Sequence, residues 1–78
     1  MKHNFYMGQE LYWHVKEPWA EDWIRCVITE IHEDEDYAIA RTEGNRHPGK
    51  DDMNLWIDSD NEMDFFDAAI LKQQIAGL

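Results

Sequence analysis

The segment Ala20–Gly44, AEDWIRCVITEIHEDEDYAIARTEG, predicts two strands joined by a very acidic turn. Its first half alternates apolar and polar residues, which is the pattern of a half-buried strand over Trp23–His32. One face of this strand carries Ile24, Cys26 and Ile28, and the other carries Trp23, Arg25, Val27 and Thr29. Ile31 falls out of phase, which predicts a β-bulge or a sharp bend. The turn is Glu33–Asp36, and the next strand is Tyr37–Thr42.

Further strands are predicted on both sides of this hairpin. ELYWHVK, Glu10–Lys16, alternates strictly, and we expect it to end at Pro18, which cannot donate a ladder hydrogen bond. PWAED, residues 18–22, is then a connecting loop. MNLWID, Met53–Asp58, predicts a fourth strand with Leu55 and Ile57 on one face and Trp56 on the other. Residues 44–52, GNRHPGKDD, have the composition of a loop and hold a local cluster of positive charge: Arg46, His47 and Lys50.

The C-terminal segment, residues 60–76, supports two interpretations. Ser59 followed by Glu62 matches a capping box, good helix formers follow in AAILKQQIA, and Gly77 stands where a helix commonly ends. This favours a helix. The alternative is a turn at Asp60-Asn61 followed by a fifth strand through EMDFFDAAIL. The apolar residues do not form one clean helical stripe, so periodicity leaves both open.

Size and composition predict one small domain, residues 1–78, with a barrel core over about residues 8–58. Cys26 is the single cysteine, so no internal disulfide can form, and a core must come from four Trp, three Tyr and three Phe. We find no pattern of a signal peptide or membrane span and expect a soluble cytoplasmic protein.

The net charge of −10, from 17 acids against seven Lys and Arg, is large for this length. Direct binding to nucleic acid is disfavoured because a phosphate backbone requires Lys and Arg to displace its counterions. Membrane binding is not expected either. The charge favours a basic protein surface as the partner, including one that normally holds nucleic acid.

The quoted segment resembles the second and third strands of Tudor-type SH3-like barrels. In that family an acidic or glycine turn precedes an aromatic pair, a small residue, alternating aliphatics, an acidic turn and a returning strand. The matching positions here are Trp23-Ile24, Cys26, Ile28, Ile31, Tyr37 and Ile39. GQELYWHV, residues 8–15, is similar to the opening strand, so the resemblance covers about residues 8–44. The long segment 44–52 and Ile24, where tyrosine is more common, depart from the family pattern.

The strand pattern and the resemblance together predict a mainly β fold: a small SH3-like (Tudor-like) barrel or a strongly bent antiparallel sheet of four to five strands. The C-terminal segment is expected to add a short helix. Tudor-type barrels often hold methylated lysine or arginine in a cage of aromatic rings. The candidates for such a cage are Tyr12, Trp19, Trp23, Tyr37 and Trp56, with Trp13 as a further aromatic. The plainer interpretation is that Trp13 and Tyr37 fill the core while the other rings cover its rim.

No motif predicts catalysis or a metal site. The sequence has no nucleophile elbow and no phosphate-binding glycine loop. Pairs of carboxylates are unavoidable among 17 acidic residues, so they do not indicate acid–base catalysis. The acidic turn lacks the spacing and glycine of a calcium loop. The four histidines, His3, His14, His32 and His47, show no paired spacing with each other or with Cys26. We therefore expect a protein that is not an enzyme, with no cofactor and no metal.

These observations favour a non-enzymatic acidic interaction module that binds a basic protein surface. The candidate partner-binding residues are Glu33, Asp34, Glu35, Asp36, Asp58, Asp60, Trp19 and Trp56. Such a module is an adaptor, or an inhibitor that mimics the charge of nucleic acid, and its size and acidity suit an inhibitor of phage or mobile-element type. The alternative is a Tudor-like aromatic-cage reader of methylated or cationic side chains.

Overall fold

A computed structural model describes residues 2–42 and 53–76, with side chains described through residue 73. These residues form β1 (Glu10–Glu17), β2 (Ala20–His32), β3 (Tyr37–Thr42), β4 (Asn54–Ile57), β5 (Phe65–Asp67) and α1 (Ala68–Ala76). The strands pair antiparallel in one sheet, in the order β4-β3-β2-β1-β5, which is not closed within the described residues. The predicted class, a mainly β antiparallel sheet with a short C-terminal helix, is confirmed. The predicted loop 44–52 and its cations lie outside the described residues.

The core lies on one face of the sheet. All five strands contribute to one buried cluster: Leu11, Cys26, Ile28, Ala38, Ala40, Leu55, Ile57 and Phe65. Leu55 and Ile57 come from one edge strand and Phe65 from the other, so the sheet curves around its core. Phe5, Trp13 and Ile31 pack against the margin of the cluster. Burial raises the pKa of the Cys26 thiol to about 12, so this cysteine is a core residue rather than a nucleophile.

The predicted β-bulge is present in β2. Its register against β3 shifts between Ile28 and Glu30. Ile28 and Ile31 can therefore both face the core although they are three positions apart, because the bulge adds one residue to one strand only. The bulge also turns His32 toward the outer face, opposite Tyr37.

Two expectations for β1–β3 need correction. Residues 18–22 are not a loop: Glu17 pairs with Ala20, so Pro18 and Trp19 alone form the turn. Tyr37 does not fill the core. The buried face of β3 carries Ala38, Ala40 and Thr42, because the longer aliphatic side chains of the neighbouring strands already occupy the space above it.

The predicted start of the C-terminal helix is wrong. Helix α1 starts at Ala68, and the capping box proposed at Ser59 is not its start. A 3₁₀ turn at Glu62–Asp64 leads instead into β5, which pairs with β1 and places Phe65 beside Trp13. The functional cap is Asp67, whose Oδ1 accepts a hydrogen bond from the backbone N–H of Ile70 at 3.0 Å. Residues 60–76 thus contain both a strand and a helix, the two structures that the sequence offers as alternatives.

Polar side chains fasten the segment before β1 to the sheet. The Nε2 of Gln9 donates to Asp67 Oδ2 at 2.8 Å, and its Oε1 accepts from the N–H of Tyr6 at 3.2 Å. The buried carboxylate of Glu62 accepts hydrogen bonds at Oε1 from the backbone N–H groups of Lys2 and His3, at 2.7 and 3.1 Å. Residues near the N-terminus are therefore part of the folded unit.

Thr42 joins the ends of β3 and β4. Its backbone N–H donates to the carbonyl of Met53 at 2.9 Å, and its Oγ1 accepts from the N–H of Met53 at 2.8 Å. Thr42 is buried, so its own groups in these two hydrogen bonds are shielded from water.

Candidate functional site

The register brings two acidic segments to one end of the sheet. Ala38 pairs with Ile57, so the residues before Ala38 lie beside those after Ile57. The first segment is the turn Glu33–Asp36, and the second runs from Asp58 to Asp60. We call this region the acidic end. The convergence follows from antiparallel pairing, because the start of β3 and the end of β4 must meet at the same sheet end.

The backbone of the acidic end is fixed by local hydrogen bonds. Glu33–Glu35 form one 3₁₀ turn, which Asp36 closes in the left-handed conformation with φ 56°. Asp58 Oδ1 accepts from the N–H of Asp60 at 2.9 Å. The carboxylates are therefore carried on two short turns rather than on an extended chain.

Asn61 closes part of the outer edge of β4. Its Nδ2 donates to the carbonyl of Trp56 at 2.7 Å, and its Oδ1 accepts from the N–H of Asp58 at 2.8 Å. A paired strand would satisfy the same two backbone groups. The side-chain amide thus substitutes for a neighbouring strand next to the acidic end.

Three rings stack across the outer face at this end. His32 and Tyr37 have centroids 4.3 Å apart and an interplanar angle of 13°, and Tyr37 and Trp56 lie 3.8 Å apart at 10°. Trp56 is 53% exposed even so, because β4 is an edge strand. The stack places a partly exposed indole beside the carboxylates.

The acidic end has a negative local field. The pKa of Tyr37 is raised, first by desolvation and then by the charges of Glu35 and Glu30. Repulsion by these carboxylates opposes formation of the phenolate, which is why the shift is upward. Among the residues that the structure describes, Glu33, Asp34 and Glu35 form no ion pair and are exposed. Their charge is available to a partner.

Seven of the eight predicted partner-binding residues belong to the acidic end: Glu33, Asp34, Glu35, Asp36, Asp58, Asp60 and Trp56. The eighth, Trp19, does not. It lies in the two-residue turn between β1 and β2 and is 80% exposed. Trp23 and His32 are nine positions apart on β2, which is about 30 Å of strand at ~3.3 Å per residue, so they lie toward opposite ends of the outer face.

The five aromatic residues considered for a cage divide between two places. Tyr37 and Trp56 are at the acidic end, while Tyr12 and Trp23 line a groove at the other end of the outer face. Trp19 has no ring contact among the described aromatic pairs. Tyr37 and Trp56 fill the space between them by stacking, so they do not enclose a cavity.

The sequence interpretation missed residues that both clusters use. His32 and Asn61 belong to the acidic end, and His14 and Phe66 belong to the groove cluster, where His14 stacks on Trp23 at 4.0 Å. His32 could have been found, because a bulge before Ile31 reverses the alternation and turns His32 outward with Tyr37. Phe66 could not, since its orientation depends on recognising β5.

Within residues 2–42 and 53–76, no group of three His, Cys, Asp or Glu side chains is arranged to hold a metal ion. In the same residues, no helix has the length and apolar character needed to cross a membrane. Comparisons with protein-family models, with curated proteins and with solved structures found no match to this chain.

Proposed function

We propose that this protein is a non-enzymatic interaction module whose acidic end binds a basic protein surface. One observation carries the proposal: two acidic turns meet at one sheet end, around a stacked and half-exposed Trp56. Its net charge of −10 would draw a basic partner over a distance set by the ionic strength.

The chemistry of the acidic end suits arginine in particular. A guanidinium group donates two parallel hydrogen bonds to either a carboxylate or a phosphate, and it stacks on aromatic rings. Carboxylates at Glu33–Glu35 would take the place of phosphates, and the open face of Trp56 would take the stacked side chain. Half-exposed tryptophans often dominate the binding energy of an interface.

The same features support an inhibitor that occupies a nucleic-acid-binding groove. Carboxylates held on short turns offer a fixed pattern of negative charge, which a groove selected for phosphates would accept. We infer a cytoplasmic setting and an origin of phage or mobile-element type as parts of this proposal. An adaptor would use the same contacts but would leave the nucleic-acid groove of its partner free.

Matched charge variants test the proposal. Glu33→Gln/Glu35→Gln removes two charges from the acidic end, and Glu17→Gln/Glu21→Gln removes two at the opposite end of the sheet. Against an arginine-rich synthetic peptide, we expect the first variant to bind about fivefold to thirtyfold more weakly, from about 0.5–1 kcal/mol per charge. The second should bind nearly as the parent protein does. Equal losses of affinity in the two variants would show that the attraction between protein and peptide is non-specific.

Salt and competition experiments separate the versions of the proposal. Raising the salt from about 50 mM to about 500 mM shortens the Debye length about threefold and should weaken binding steeply. Once a basic partner is identified by capture from the native host, addition of its nucleic acid should displace an inhibitor but not an adaptor. Binding that is unchanged by salt would refute the charge-based proposal.

A Tudor-like aromatic-cage reader is the second candidate function, and it keeps the family resemblance as a proposal. The half-exposed indole of Trp56 among carboxylates favours it, because a methylated cation would gain from both. The reader predicts that Trp56→Ala abolishes binding of a methylated peptide while the protein remains folded. Equal binding of methylated and unmodified peptides would exclude it.

A further inference from the structure

A second surface lies at the opposite end of the outer face, beside α1. Tyr12 of β1, Trp23 of β2, and Leu71 and Lys72 of α1 line an open groove of about 480 Å³. This volume falls within the usual range for small-molecule sites, which are mostly apolar with a few polar groups. The groove meets that description, since three of the four described residues that line it are aromatic or aliphatic.

The rings of this groove are held in place by their neighbours. His14 stacks on Trp23 with centroids 4.0 Å apart and an interplanar angle of 10°, and Phe66 lies against Trp23 at 5.4 Å. Phe66 also faces Tyr12 across the β1–β5 pair. Trp23 remains 42% exposed. An aromatic surface is therefore fixed before any ligand arrives, which lowers the entropy cost of binding a flat molecule.

Lys72 gives the described lining of the groove a positive charge, and Glu10 and Asp67 lie in the adjacent pocket that Lys72 also lines. Lys72 is the charged residue among the lining side chains, and it forms no ion pair within the described residues. A cationic ligand would be repelled by this ammonium group, whereas an anion would gain a charge-assisted contact. The phenol of Tyr12 is a second possible donor in the lining.

We propose that this groove binds a small planar aromatic anion, with its ring on Trp23 and Tyr12 and its anionic group at Lys72. This site is distinct from the acidic end and goes beyond the proposed protein-binding function. In an aromatic cage, Tyr12 and Trp23 would contact a cation, whereas in this groove they would contact an anion.

The test uses anilinonaphthalenesulfonate as the anionic probe and N-phenylnaphthylamine as its uncharged counterpart. Binding is followed by probe fluorescence and by the indole N–H signals of the protein in a two-dimensional NMR spectrum. We expect the signal of Trp23 to shift on addition of the anion while that of Trp19 stays in place. Trp19→Phe serves as the control variant, because this side chain lies outside the groove, and it should bind the anion normally.

Lys72→Met tests the role of charge, since it keeps the length of the side chain and removes the ammonium group. The anion should bind about threefold to tenfold more weakly to this variant, as expected for one partly exposed charge contact, and the uncharged probe should bind as before. Trp23→Leu should weaken both probes while far-UV circular dichroism stays unchanged. The proposal is overturned if the anion shifts the signal of Trp19 or Trp56 instead, if Lys72→Met binds both probes normally, or if neither probe binds at roughly millimolar concentration.

Discussion

Asp67 offers a sharp test of the fold, because two polar contacts converge on one carboxylate. Its Oδ1 caps α1 at the N–H of Ile70, and its Oδ2 accepts from Gln9 Nε2. Loss of an N-cap side chain costs about 1 kcal/mol, and loss of a hydrogen bond to a half-exposed carboxylate costs about 1 kcal/mol more. We therefore expect Asp67→Ala to lower the free energy of unfolding by about 2 kcal/mol.

Asp67→Asn separates the two contributions. Asparagine caps helices about as well as aspartate, so the contact with Ile70 should survive. The contact with Gln9 should be lost, because Gln9 keeps its Oε1 on Tyr6 and so turns an N–H toward the new amide nitrogen. Asp67→Asn should therefore lose about 1 kcal/mol, half the effect of alanine. Urea denaturation followed by far-UV circular dichroism measures both variants.

The pH dependence checks the same carboxylate independently. The hydrogen bonds from Gln9, Ile70 and Ala69 lower the pKa of Asp67 below its ordinary value of 3.8, although desolvation opposes them. Because the folded pKa is lowered, the stabilisation is complete above the unfolded pKa and is lost as the pH falls through the folded value. The gap between the parent protein and Asp67→Asn should thus close below about pH 4. A gap that stays constant down to about pH 2 would refute the contribution of the Gln9 contact, and an alanine variant as stable as the parent would refute the assignment of Asp67 as the cap.

Three further predictions concern other parts of the sheet. Asn61→Ala should reduce the free energy of unfolding by about 1–2 kcal/mol and promote self-association, because it uncovers two backbone groups of an edge strand. Denaturation and sedimentation measure these two effects, and a variant that stays monomeric and as stable as the parent would contradict the prediction. Cys26 should react with a thiol reagent at the rate of global unfolding, because its pKa is about 12 in the folded protein, so rapid labelling under native conditions would argue against its burial. Glu35→Gln should bring the pKa of Tyr37 closer to its ordinary value in an NMR titration, and an unchanged pKa would show that Glu35 does not act on this phenol.

The central strands could be predicted from the sequence because each buries one face. Cys26 and Ile28 are buried two positions apart on β2, and a period of two leaves little choice about which side of a strand is buried. Ile31 also indicates the position of the bulge, because an apolar residue out of phase with the preceding alternation requires an extra residue in the strand.

The C-terminal region could not be predicted in this way because tertiary pairing overrides its local signals. Ser59 and Glu62 carry a capping box, but Phe65 gains more by packing beside Trp13 in β5 than by joining a helix. The prediction that Tyr37 fills the core fails for a related reason. Its strand alternates alanines with larger residues, and only the volumes of the neighbouring strands show that the alanines face inward.

The candidate site was predictable in composition but not in geometry. The acidic turn at Glu33–Asp36 is evident in the sequence, and so is the exposure of Trp56 on the face opposite the aliphatic residues. Their proximity depends on the pairing of Ala38 with Ile57, which no local pattern encodes. The division of the aromatic residues into two clusters has the same cause, because strand order decides which rings meet.

The paired hydrogen bonds between Thr42 and Met53 have a practical consequence for engineering. They join the ends of β3 and β4 directly. Lengthening a connection costs only about 0.6 kcal/mol for each doubling of its length. A foreign peptide, such as an epitope or a recognition sequence for a labelling enzyme, should therefore be accepted between these two positions at little expense to the sheet.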